Sequence, residues 1–350
     1  MCVSKSFVAA VAVCLLMIAG LPAQTDYTTQ TLNFENVTTN NIVQTVPESD
    51  SGGGGTGNEK EIDFGDWDND GDLDAVMAVA RSDFGERRNK LYRNDDGVMQ
   101  EVSGAPVIPG FTSQDVGRSA FLRDFDQDGW LDIIIVCDAN SGTSANESAG
   151  KTKYYRNAPD GMGGRTFINE SSRLANQSGS ACNATAEDFD GNGFCDLYMC
   201  NYPGQSQDTL GLNNINGAGA GQFTVVTNTH VPSESDYGVH SEAADMNGDG
   251  KLDLLVANET CDPAYIFYNN KNGAGSGDGD FRYTGSQQQI LENQSGCWEN
   301  ALVPGDFNND GLMDFYFTNT GFYGNLSDSI HINTGNDNNG VAQFTHMPVS

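Results

Sequence analysis

Nine residues, Asp66-Trp67-Asp68-Asn69-Asp70-Gly71-Asp72-Leu73-Asp74, return four more times in this 350-residue chain, and no other feature limits its fold so strongly. The copies begin at Asp124 (DFDQDGWLD), Asp188 (DFDGNGFCD), Asp245 (DMNGDGKLD) and Asp306 (DFNNDGLMD), so successive starts lie 58, 64, 57 and 61 residues apart. Self-similarity at a near-fixed period implies a repeat architecture, in which one small unit stacks on the next.

Oxygen donors at positions 1, 3 and 5, a glycine at 6, a backbone carbonyl at 7 and an acid at 9 describe a loop that wraps a hard cation. Calcium takes six to eight oxygens at about 2.3–2.6 Å, and glycine permits the sharp turn. The expected ligands in the first loop are the side chains of Asp66, Asp68, Asp70 and Asp74 with the carbonyl of Asp72. In the second they are Asp124, Asp126, Asp128 and Asp132 with the Trp130 carbonyl, and in the third Asp188, Asp190, Asn192 and Asp196 with that of Phe194. The fourth offers Asp245, Asn247, Asp249, Asp253 and the Lys251 carbonyl; the fifth offers Asp306, Asn308, Asp310, Asp314 and the Leu312 carbonyl. Two carboxylates held about 4 Å apart repel by about 4 kcal/mol at an effective dielectric near 20, so such a cluster calls for a divalent ion, up to five in all.

An EF-hand opens with the same residues but needs a bidentate Glu at position 12 and flanking helices. Here position 12 is Met77, Ile135, Met199, Val256 or Phe317, which excludes it. Short runs of strand-forming residues follow each loop instead, such as LDIIIVCD (131–138), LDLLVANE (252–259) and MDFYFTNT (313–320). The bland alternative, a polar Asp-Gly turn, suits one copy but not five in register.

Each repeat passes through the same four apolar pieces, in the second SAFLRDF (119–125), LDIIIVC (131–137), KYYRN (153–157) and RTFINES (165–171). The third piece recurs as KLYRN (90–94), LGLNN (210–214), IFYNN (266–270) and IHINT (330–334). The fourth recurs as VMQEVS (98–103), QFTVVTN (222–228), DFRYTG (280–285) and QFTHMP (343–348). Four short antiparallel strands without helical periodicity describe the blade of a β-propeller, an all-β fold. Phe121, Ile133, Ile135, Leu254, Val256, Phe315 and Phe317 are the residues expected between blades.

A formal charge of −31 argues against nucleic acid or an anionic membrane as partner. Residues 1–23 carry Lys5, an apolar run from Phe7 to Gly20 and Leu21-Pro22-Ala23, which predicts a cleaved signal peptide and a secreted, periplasmic or cell-surface protein with no membrane span. A segment with a lone strand (31–38) and a Gly/Ser-rich connector (51–57) fills residues 24–58, ahead of the repeats at 59–350. Six cysteines remain after cleavage. Their positions favour Cys261–Cys297 and Cys137–Cys182 pairs, with Cys182–Cys200 across one hairpin as a competitor.

The loops, the strands that follow and the LYRN-type pieces together resemble the FG-GAP/VCBS repeat proteins, related to the integrin α-subunit propeller and to ASPIC/UnbV proteins. The resemblance spans about residues 59–350. It implies a calcium-binding β-propeller, usually seven-bladed, acting in adhesion or ligand binding outside the cell. Five repeats are visible here, so the chain is expected to be a truncated piece of a larger propeller, the alternatives being a ring that is open, smaller or completed by another chain.

The leading functional expectation is a non-catalytic binding or adhesion module for an extracellular protein or glycan, calcium being structural. Its ligand would meet the end opposite the acidic loops, at 138–152, 201–209, 229–239 and 259–264. The alternatives are a calcium-dependent polysaccharide lyase or hydrolase, and a lectin stacking sugars on Trp298, Tyr202, Phe322 or Tyr323. Four scattered histidines (His230, His240, His331, His346), with no HExxH or GxSxG motif, give catalysis little support.

Overall fold

The computed structural model describes residues 42–43, 58–81, 89–109, 111, 117–138, 151–174, 181–201, 207–214, 217–232, 238–258, 264–269, 278–282, 289–291, 301–318 and 328–348. The signal-peptide reading, the strand at 31–38, the connector at 51–57 and the Cys261–Cys297 pair lie outside them.

Each acidic loop turns the chain through a hairpin, because the strands on either side bury their side chains on two neighbours at once. In the second repeat β6 (Gly117–Arg123) pairs antiparallel with β7 (Asp132–Cys137), bringing Phe121 opposite Ile134 and Leu122 opposite Ile133. Every residue of β7 is buried, as in a strand covered on both faces. β8 (Lys153–Pro159) and β9 (Arg165–Asn169) complete a meander in spatial order 6-7-8-9.

The first sheet holds β1 (Ile42–Val43), β2 (Asn58–Gly65), β3 (Asp74–Arg81), β4 (Lys90–Asp95) and β5 (Val98–Glu101); β1 is an added outer strand, parallel to β5. The third has β10 (Ala181–Glu187), β11 (Asp196–Asn201), β12 (Thr209–Asn213) and β13 (Phe223–Val225). The fourth has β14 (Gly238–Ala244), β15 (Asp253–Asn258), β16 (Ala264–Phe267) and β17 (Gln289–Leu291). The fifth has β18 (Ala301–Gly305), β19 (Asp314–Thr318), β20 (Ser329–Asn336) and β21 (Ala342–Pro348). The result is an all-β array of five propeller blades, its helical content among the described residues a 3-10 turn at Ser171–Arg173 and one turn at Thr227–His230.

Blade packs on blade in sequence order through the innermost strands: β2 on β6, β6 on β10, β10 on β14 and β14 on β18. No comparable contact joins the fifth sheet back to the first among the described residues, as in an incomplete ring. Four apolar clusters fill the four junctions. The first joins Trp67, Val76 and Leu91 to Leu122, Ile133, Ile135 and Phe167, and the last joins Met246, Leu255 and Ile266 to Leu302 and Phe315. All seven residues expected between blades are buried.

The open ends follow from the same pattern. Position 2 of each loop is an apolar residue: Trp67, Phe125, Phe189 and Met246, covered by the next blade, are at most 3% exposed, whereas Phe307, which no described blade covers, is 49% exposed. On the first blade Ile62, Phe64 and Leu73 are exposed, although their counterparts in the second, Ala120, Leu122 and Leu131, pack against the preceding blade.

Three expectations need correction. The fourth strand of the fourth blade is Gln289–Leu291, not the DFRYTG piece; Phe281 lies edge-on against Phe189 and its amide bonds the His230 carbonyl. The QFTVVTN piece stays extended only to Val225 before turning into helix. Neither the Cys137–Cys182 nor the Cys182–Cys200 bridge forms, since all three residues are thiols. A register shift between Ala181 and Asn183 places Cys182 in a bulge, off the straight cross-strand pairing with Cys200.

Truncation at a junction leaves a void that packed sheets cannot close. Ile135→Ala is expected to cost about 2–5 kcal/mol, and Ile168→Ala, on an exposed strand position, less than about 0.5 kcal/mol, both read from urea unfolding.

Candidate functional site

The five loops share one backbone path, set by two residues in the left-handed region. Position 6 is glycine in every copy, with φ between +86° and +101°. Position 4 is also left-handed, at Asn69 (58°), Gln127 (58°), Gly191 (71°), Gly248 (73°) and Asn309 (60°). Glycine and asparagine are the residues that accept this conformation most readily, and Gln127 is the exception.

The first carboxylate folds the loop around itself. Asp66 accepts the Asp70 and Gly71 amides at 3.1 and 2.9 Å; Asp124 accepts those of Asp128 and Gly129, both at 3.0 Å. Asp245 and Asp306 do the same, and Asp188 accepts Gly193 N–H at 2.8 Å. The position-5 side chain then takes the amide of position 7, as Asp70 does from Asp72, Asp128 from Trp130, Asn192 from Phe194, Asp249 from Lys251 and Asp310 from Leu312.

Position 9 does different work. Asp74, Asp132, Asp196, Asp253 and Asp314 have no exposed surface. One oxygen of each accepts the backbone amide of an asparagine that ends the third strand's apolar stretch: Asn94, Asn157, Asn213, Asn269 and Asn333, at 2.7–3.0 Å. The other oxygen accepts the position-2 amide in loops 1, 3, 4 and 5, and the Tyr154 hydroxyl at 2.7 Å in loop 2.

The same asparagines tie blade to blade. Asn157 Nδ2 donates to the Trp67 carbonyl at 2.8 Å, Asn213 to Phe125 at 2.8 Å, Asn269 to Phe189 at 2.7 Å and Asn333 to Met246 at 3.0 Å. In every case the acceptor is position 2 of the preceding loop. Sequence reading missed this role, although the asparagine recurs in the LYRN-type piece of every repeat.

Among the described residues three groups of carboxylates converge within 4.8 Å: Asp66, Asp68 and Asp70; Asp124, Asp126 and Asp132; and Asp188, Asp190 and Asp196. Loops 4 and 5 have asparagine at position 3, and there Asn247 and Asn308 turn an amide nitrogen toward Asp249 and Asp310. The Asp72 side chain turns aside to the Asp96 amide at 2.7 Å, which leaves its backbone carbonyl as the contribution foreseen. The aromatics Trp298, Tyr202, Phe322 and Tyr323 lie outside the described residues, as do residues 139–150, 202–206, 233–237 and 259–263 of the loops expected to bind ligand.

The electrostatics point inward. Burial is the largest cause holding the Asp68, Asp126 and Asp190 carboxyls above their ordinary range, with neighbouring acids adding to it. Burial likewise pushes Asp74 up to about 6, Asp132 to about 7 and Asp253 to about 8, and Asp196 well above 3.8. Asp68 Oδ1 and Asp188 Oδ1 are buried and accept no hydrogen bond. Oxygens in that state fit a cation better than they fit one another.

Fold and site together define a propeller whose every blade opens on an oxygen-lined loop. The chain matches the FG-GAP-like repeat family in four overlapping copies, over residues 66–135, 124–199, 188–256 and 245–317, and it belongs to that family. No curated protein matches it. Among solved structures it is similar to an Agrocybe aegerita lectin described as recognising non-reducing terminal N-acetylglucosamine, at 19% identity and TM-score 0.48, covering 81% of this chain and 64% of that one. A Bacillus licheniformis rhamnogalacturonan lyase follows at 14% identity and TM-score 0.43, covering 78% and 48%. The V. cholerae biofilm matrix protein Bap1 gives 13% identity and TM-score 0.35, covering 82% and 37%. The chain thus spans less than two thirds of each, and likenesses this distant carry no statement about function.

Two outcomes are expected. Asn213→Ala strands the Phe125 and Cys195 carbonyls that its amide now satisfies, and should cost about 1–3 kcal/mol in denaturant unfolding. In metal-free, chelator-treated buffer the raised carboxyl pKa values mean that the folded state binds more protons than the unfolded one. Its melting temperature should therefore fall as pH rises from about 4 to about 8, and continue to do so in high salt, where exposed charges are screened.

Proposed function

We propose that this chain is an exported, calcium-stabilised binding module without catalytic activity. Each of the five loops would hold one ion between the side chains at positions 1, 3, 5 and 9 and the carbonyl at position 7. The observation that carries this reading is the pair of buried oxygens, Asp68 Oδ1 and Asp188 Oδ1, that accept no hydrogen bond inside loops already folded by backbone contacts. A hard divalent cation supplies the missing partner and offsets the repulsion among the neighbouring acids.

An ion in this place does structural work. It fixes the hairpin tip, and through the position-9 carboxylate it fixes the asparagine that reaches the preceding blade. The ligand, an extracellular protein or glycan, then meets the loops at the other end of the blades. Export rests on the N-terminal sequence, and an extracellular setting supplies calcium at concentrations that loose loops need, about 10⁻⁴–10⁻³ M.

Calorimetric titration with calcium tests the ion sites. The expected result is heat of binding and a melting temperature that rises with calcium and falls with EDTA; a site at a hundredfold excess over its dissociation constant adds about 2.7 kcal/mol to stability. Absence of both effects overturns the reading. Asp188→Asn should weaken the site in loop 3 while leaving the others titratable.

A further inference from the structure

Position 4 of each loop is no expected ligand, yet in two loops it reaches out of its own blade. Asn69 Nδ2 donates to the carbonyl of Gly129, position 6 of loop 2, at 3.4 Å. Gln127 Nε2 donates to the carbonyl of Gly193, position 6 of loop 3, at 2.6 Å. Both residues hold a left-handed backbone, which for glutamine is uncommon, and the strong bond to Gly193 gives Gln127 a reason to stay there. Loops 3 and 4 carry Gly191 and Gly248 at this position and have no side chain to extend.

The acceptor matters. The Gly129 carbonyl and the Trp130 amide belong to one planar peptide unit, and the Trp130 amide bonds the Asp128 carboxylate. In loop 3 the Gly193 carbonyl and the Phe194 amide share a peptide in the same way, and that amide bonds Asn192 Oδ1. The amide of the preceding loop therefore grips one side of the peptide whose other side orients the position-5 oxygen. The next carbonyl along, at position 7, is the backbone ligand expected of the loop. Asn69 itself lies between Asp68 and Asp70, two members of the first carboxylate cluster, and Gln127 lies beside Asp126, a member of the second.

From this geometry we infer that loops 1, 2 and 3 take up calcium as one coupled row, with Asn69 and Gln127 as the positioning residues that couple them. The inference rests on the calcium reading above. An ion ordering loop 1 fixes Asn69, which orients the position-6 peptide of loop 2 before its ion arrives; Gln127 passes the same constraint to loop 3. Loop 4 carries Gly248 at position 4 and so has no side chain there to reach the position-6 peptide of loop 5, which leaves both outside the row. Coupling of this kind lowers the ordering cost of each later site and is reciprocal along the row.

Terbium(III), replacing calcium in the full chain after chelator treatment, provides the test, because Trp67 and Trp130 sit in loops 1 and 2 and sensitise its luminescence. The comparison is with Asn69→Gly and Gln127→Gly, singly and together, since glycine already occupies this position in two loops and accepts the left-handed backbone. The wild-type rise is expected to be sigmoidal, with later sites favoured at least about fivefold. The double variant should bind the same number of ions, counted by calorimetry with calcium, along a curve that is no longer sigmoidal. A non-sigmoidal wild-type curve, or one whose slope the substitutions leave unchanged, overturns the coupling while the ion sites stand. No binding by either metal overturns both.

Discussion

A fully buried carboxylate stands at the end of each acidic loop, and the rest of the architecture hangs on it. Asp74, Asp132, Asp196, Asp253 and Asp314 sit where the hairpin returns into its second strand, with no surface open to water. Placing a charge there is costly unless both oxygens are satisfied. They are, by groups from two directions: the amide that opens the loop, or Tyr154 in the second blade, and the amide that ends the third strand. The carboxylate thus locks the loop to its own sheet. What hydrogen bonds leave uncompensated shows as upward-shifted pKa values, which makes the loops receptive to positive charge.

Cohesion between blades has two parts with different characters. Apolar burial at the junctions is large and non-directional, as Trp67 against Phe167 or Phe125 against Phe223 illustrates. The asparagine bond to position 2 of the preceding loop is small in energy but directional. It fixes how far one blade slides along the next, which apolar contact alone would leave loosely set. Because that asparagine is held by the position-9 carboxylate, the order of a loop and the seating of its blade are linked physically.

Much of this was legible in the sequence. Period, loop spacing and strand-forming runs yielded the blades, and the seven residues expected between them are buried, because apolar residues flanking each loop have nowhere else to go. The asparagine bond was not legible, even though KYYRN and IFYNN display the residue: its partner is a backbone carbonyl, which has no letter of its own, and in the third blade it lies 88 residues earlier. DFRYTG has the composition of a strand, but burial of Phe281 against Phe189 claims it first. The Cys182–Cys200 pairing failed because one extra residue in a strand, at the Cys182 bulge, shifts registration in a way spacing does not record.

Phe307 and Asn94 lie at the two ends of the described blades, and each retains half of an arrangement completed at every boundary between those blades. Phe307 presents an apolar ring and a carbonyl in the place where Met246 meets Asn333, and Asn94 carries the amide that its counterparts extend to a preceding loop. Because one set of contacts serves all boundaries, no boundary records how many lie before or after it. Gain or loss of a whole unit by gene duplication or deletion would leave the surviving boundaries chemically intact, while a change of a fraction of a unit would sever one. Evolution of such a chain is therefore quantised in steps of about sixty residues.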